Sequence, residues 1–233
     1  MKKAISLLFL LILTFPSFAT CIVVIIGTDF VIIGADSRST KAHDVATVEK
    51  IRKAGNFYIA IAGIGEDTDT KFYPYKIVAD ILKDKKIYTP IIRDAIKKEL
   101  TKNLLKELKA IRSNKFFLDL HPNGNAVMLN YAIVGFINNK PFSHTLIFHA
   151  PNIKEDKIVV TEDKFRTNTN SVIIIGKGEE ATKYMDTHEF EFSKLNPVQS
   201  VNKLMEISTQ YNTDVGPPIK ILGLQQNRFI WLQ

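Results

Sequence analysis

Apolar and polar positions along this 233-residue chain fall into blocks of two periodicities. CIVVII (21–26) and FVIIGA (30–35) are β-branched runs of strand length, split by a turn at Gly27, Thr28 and Asp29. Their near-continuous apolar character predicts a hairpin in a sheet covered on both faces. Residues 39–48 (STKAHDVATV) are polar and irregular and read as a loop. A turn at Gly55 and Asn56 then separates a short strand around Lys50 from an apolar strand, Phe57 to Ala62, which stops at Gly63 and Gly65.

The spacing next becomes helical. Apolar residues at Phe72, Tyr75, Val78, Ala79 and Leu82 predict one helix over 68–82. Those at Ile92, Ile96, Leu100, Leu104, Leu108 and Ile111 predict a second over 88–111, opened by Thr89 and Pro90. After a loop at 113–125, strand patterns return at 128–137 and 142–149 around an NNKP turn, then at 157–160 and 171–175. Helices follow at 176–187 and 197–211, and DVGPPIKILGL and FIWLQ close the chain. The order of strands, two helices, strands, two helices and strands predicts an α+β fold of four layers, αββα, with two packed, mainly antiparallel sheets and helices outside each.

Residues 1–19 change this picture, because MKKAISLLFLLILTFPSFA has a basic start, an apolar run, and small residues at Ser17 and Ala19. It reads as a secretory signal peptide cleaved between Ala19 and Thr20, leaving 20–233 as one domain in an exported protein, periplasmic or secreted. No later run is long enough to span a membrane. Net charge falls from +7 to +5 when Lys2 and Lys3 leave with the leader, and the remaining cations are interleaved with acids. That pattern speaks against a nucleic-acid surface. Cys21 is the only cysteine, so no internal disulfide exists. FATC at 18–21 leaves lipid attachment through Cys21 open, and an inward-pointing strand residue is the simpler alternative. The five histidines lack metal-ligand spacing, and neither a metal nor a cofactor is expected.

Cleavage after Ala19 would give Thr20 a free α-amine beside its hydroxyl. A short hairpin returns Asp36 to the same end of the sheet, and Lys50 heads the next strand. A threonine hydroxyl is a weak nucleophile until a base takes its proton, and an α-amine with a reference pKa of about 7.7 to 8 suits that task near neutrality. A neighbouring cation would lower that pKa, and Asp36 would hold the cation in place. Thr20, Asp36 and Lys50 are therefore the candidate catalytic set, with Cys21 the alternative nucleophile if cleavage falls one residue later. The same Asp36 and Lys50 also read as a purely structural ion pair.

The leader followed by threonine, the hairpin ending in Ala35-Asp36-Ser37-Arg38, Lys50-Ile51 and Ala62-Gly63 together resemble the proteasome-type N-terminal nucleophile (Ntn) hydrolases. The sixteen-residue separation of Thr20 and Asp36 agrees with that family's spacing. The resemblance implies an Ntn sandwich, a peptide or small amide as substrate, the amide of Gly63 as oxyanion donor, and Asp214 near the terminal amine. It leaves a homo-oligomer open. Two departures stand out: Lys177 occupies the middle of the family's Gly-Ser-Gly element, and Pro217 takes the place of a serine near Asp214. A catalytically inactive, proteasome-like scaffold or binding protein is the competing reading.

Overall fold

A computed structural model describes residues 16–17, 20–41, 44–167, 170–212, 215–226 and 228–232. The expected leader lies almost wholly outside the described residues, and so does Asp214. The chain runs β1 (Pro16–Ser17), β2 (Cys21–Ile26), β3 (Phe30–Asp36), β4 (Arg38–Lys41), β5 (Asp44–Thr47), β6 (Ile51–Ala54) and β7 (Phe57–Gly63). Helices α1 (Pro74–Leu82), α2 (Pro90–Ile111) and α3 (Lys115–Leu120) follow, then β8 (Ala126–Ile137), β9 (Lys140–Ala150), β10 (Val159–Thr167) and β11 (Ser171–Gly176). The last elements are α4 (Glu179–Thr187), α5 (Glu189–Phe192), α6 (Pro197–Tyr211), β12 (Ile219–Gln225) and β13 (Arg228–Trp231).

Two five-stranded antiparallel sheets form, ordered β10-β9-β8-β7-β6 and β11-β2-β3-β12-β13. Alternation along each strand explains why the two sheets stack with helices outside. On β2, Ile22, Val24 and Ile26 face the layer between the sheets, while Cys21, Val23 and Ile25 face α4 and α6. On β7, Tyr58, Ala60 and Ala62 face the inter-sheet layer, whereas Phe57, Ile59 and Ile61 pack under α1 and α2. Alanines 60, 62 and 132 opposite isoleucines and valines let large side chains of one sheet interdigitate with small ones of the other. The four-layer α+β sandwich expected from the pattern is the fold observed.

Local chemistry sets the element ends. Thr89 accepts a hydrogen bond from the Ile92 amide and precedes Pro90 at the start of α2, while Asn196 and Gln199 form a reciprocal capping box ahead of α6. The helix expected over 176–187 starts at Glu179, because Gly176 is the last residue of β11, and four other regions depart further from the sequence expectation. Residues 39–48 contain β4 and β5, a polar hairpin joined by β1 in a three-stranded sheet, not a loop. The helix expected from residue 68 begins at Pro74, because the Asp67 side chain accepts from the amides of Asp69 and Thr70 and closes a turn, and the residue before a proline avoids helical geometry. Six residues of the expected loop at 113–125 form α3, where Asn114 caps the Phe117 amide. The strand expected over 157–160 instead runs from Val159 to Thr167, an edge strand whose charged, exposed residues hide it from an apolar pattern.

Candidate active site

The β2–β3 hairpin pairs Ile22 with Ala35, so the start of one strand lies against the end of the other. Asp36 is fully buried there, and its Oδ1 accepts from the Cys21 amide at 3.1 Å. Its Oδ2 accepts from the Arg38 amide at 3.2 Å and from Lys50 Nζ at 2.9 Å. The amide of Gly216 donates to the same carboxylate, and the Ser37 amide donates to the Pro218 carbonyl at 2.9 Å. The VGPP segment thus clasps the end of β3.

Lys50 immediately precedes β6, and its carbonyl accepts from the Tyr75 hydroxyl at 2.5 Å. Tyr75 in turn accepts from the Ile61 amide at 3.2 Å, which fixes the lysine backbone against the neighbouring strand β7. From that anchor Lys50 Nζ reaches Thr20 Oγ1 at 2.7 Å while still bonded to Asp36. Thr20 is 5% exposed, Lys50 6% and Asp36 0%, so the chain of hydrogen bonds lies out of bulk water. Burial pushes the Asp36 carboxyl up, with Lys50 and the surrounding amides opposing it. Burial likewise lowers Lys50, opposed by Asp36.

Two glycines shape the surroundings. Gly176 has φ +81°, and a side chain there would sit 1.8 Å from the Thr20 carbonyl oxygen. That close approach lets the Lys177 amide donate to the Thr20 carbonyl at 2.9 Å. Ala62 lies against the same glycine, which brings the end of β7 beside Thr20. Gly63, at φ +108°, leaves no room for a side chain against the Met128 carbonyl. Cys21 points the other way: its thiol is buried among α6 residues, accepts from the Ser208 hydroxyl at 3.2 Å, and is pushed up to about 12 by burial.

The structure therefore brings Thr20, Asp36 and Lys50 together, sets the Ala62–Gly63 strand end nearby and directs Cys21 into the helix-side core. Sequence reasoning missed Tyr75, read only as a core residue of a helix, and the amide of Gly216. Neither carries a sequence signal, since each joins a backbone group to a side chain far away in the chain.

Residues 17–108 match a family model. That model is described as proteasome subunit, and the match spans 92 of the 233 residues. The matched stretch runs from β1 into α2 and includes Thr20, Asp36, Lys50 and Gly63. The remaining elements complete a sandwich consistent with the proteasome-type Ntn fold. A search of curated proteins returned no match. Among the described residues no cluster of three or more His, Cys, Asp or Glu is placed to hold a metal ion.

Proposed function

We propose that the chain is an exported Ntn hydrolase that cleaves an amide or peptide bond with Thr20 as nucleophile. The observation that carries this reading is the Lys50 ammonium, 2.7 Å from Thr20 Oγ1 and 2.9 Å from Asp36 Oδ2. In the full chain the Thr20 nitrogen is bonded to Ala19 and has no basic lone pair. Removal of the leader turns it into an amine, and the activity is switched on by that cleavage.

The free amine takes the proton from Thr20 Oγ1 as the oxygen attacks the substrate carbonyl carbon. Lys50, held by Asp36, disfavours a second positive charge nearby and keeps the amine neutral before attack. The Gly63 amide serves as the oxyanion donor. Collapse of the tetrahedral adduct breaks the carbon–nitrogen bond, the ammonium returns its proton to the leaving amine, and an ester on Thr20 remains. Water, deprotonated by the same amine, hydrolyses the ester and restores the hydroxyl.

The burial of Cys21 favours Thr20 as the nucleophile, since a thiol used in catalysis or in lipid attachment would have to leave the core. The scaffold reading draws on Lys177 and Pro217, which stand where the resembling family carries serines. A β-lactone or epoxyketone separates the readings. One stoichiometric adduct on Thr20, absent in Thr20→Ala, is expected of the enzyme; a correctly processed chain that never reacts is a scaffold.

A further inference from the structure

A second buried polar chain lies away from Thr20. His144 on β9 is fully buried; its Nε2 is 2.8 Å from Asp163 Oδ1 on β10, and its Nδ1 is 2.6 Å from the Tyr88 hydroxyl, just before α2. Asp163 Oδ2 also accepts from Lys97 Nζ of α2 at 3.1 Å. One carboxylate thus ties an edge strand to both the sheet and the helix. Next to Tyr88 lies the buried hydroxyl of Tyr131 on β8, close enough to interact with it but without a hydrogen bond of good geometry.

These contacts fix the proton positions. A carboxylate only accepts, so His144 carries hydrogen on Nε2, and its bare Nδ1 accepts from Tyr88. If Nδ1 gains a proton from solvent, Tyr88 must accept there, and its own hydrogen turns to the waiting Tyr131 oxygen. His144 and Tyr88 keep a partner in both states and Tyr131 gains one in the protonated state, but the charge balance changes. The imidazolium would be buried facing Arg93 and Lys97 of α2, with Asp94 at the surface and Asp163 already shared with Lys97. The surplus cation weakens the Lys97–Asp163 tie.

We propose that Asp163, His144, Tyr88 and Tyr131 form an acid-operated latch, which holds β10 and the start of α2 on the sheet at neutral pH and loosens them when His144 takes up a proton. Burial lowers the affinity of His144 for that proton in the closed state, so the open state binds it first. Opening is therefore favoured as pH falls below the ordinary histidine value of about 6.5.

Hydrogen exchange on the full chain, corrected for intrinsic rates, tests this at about pH 7.5 and about pH 5. Protection of the β10 amides is expected to fall about tenfold or more at the lower pH, relative to the amides of β2 and β3. Imidazole nitrogen NMR should show the Nε2–H tautomer at neutral pH. His144→Gln, which can accept from Tyr88 and donate to Asp163 without titrating, should keep β10 protection level across this range. Tyr131→Phe removes the second acceptor while conserving shape and is expected to move the histidine midpoint to lower pH, which keeps the test decisive if the glutamine variant does not fold. Equal β10 protection at both pH values, an Nδ1–H tautomer, or an unmoved midpoint in Tyr131→Phe would overturn the latch.

Discussion

Lys50 is expensive to bury and is held by one carboxylate and one hydroxyl, so each substitution around it separates structure from chemistry. Lys50→Met strands Asp36 without its cation and is expected to cost about 3 kcal/mol in denaturant unfolding as well as abolish electrophile labelling. Thr20→Ser keeps a hydroxyl at the same place and should still label, whereas Thr20→Ala should fold normally and fail to label. Glu107 offers a test of the electrostatics away from the site. Its carboxyl, 1% exposed on α2, receives the Thr70 hydroxyl, and burial pushes it up to about 7. The folded chain then holds a proton between about pH 4.5 and pH 7 that the unfolded chain has lost, so this group makes stability fall as pH rises through that window. Glu107→Gln is expected to remove up to about 2 kcal/mol of that pH dependence, read from denaturation midpoints at each end of the window.

Among the elements, the junction of β11 and α4 seats Thr20 through Gly176. Gly176→Ala combines a left-handed backbone with a clash against the Thr20 carbonyl and is expected to cost more than about 2 kcal/mol and to suppress labelling. Gly124→Ala is the control: its φ is +72°, but the space around it is open, so about 1 kcal/mol is lost and labelling persists. Elements whose side chains alternate between two cores were legible in the sequence, as in β2, β3 and β7, because burial writes a continuous apolar run. The β4–β5 hairpin and most of β10 were not legible, since strands held by backbone pairing with polar residues leave no such pattern. The closeness of Thr20 and Asp36 was legible because a hairpin returns its second strand to the start of the first, and Lys50 because it heads the next strand. Tyr75, Gly216 and the His144 relay were hidden, as their partners come from distant segments: Tyr88 and His144 are 56 positions apart.

At the scale of the whole molecule, the two sheets carry the site between them. Asp36 and Thr20 come from one sheet, Lys50 and Gly63 from the other, so the inter-sheet core of Ile22, Val24, Ala60 and Ala62 sets their separation. Ala60→Val would push the sheets apart and is expected to destabilise by about 1 to 3 kcal/mol, with labelling lost more steeply than stability, as compared across a urea series. On the proposed mechanism, cleavage after Ala19 creates the catalytic amine of Thr20. Intact mass and N-terminal sequencing of the protein recovered from cells that express the full chain test this most directly. A mature chain beginning at Thr20 is the expected result; a chain that begins at Cys21 or anywhere else, or that retains its leader, contradicts it.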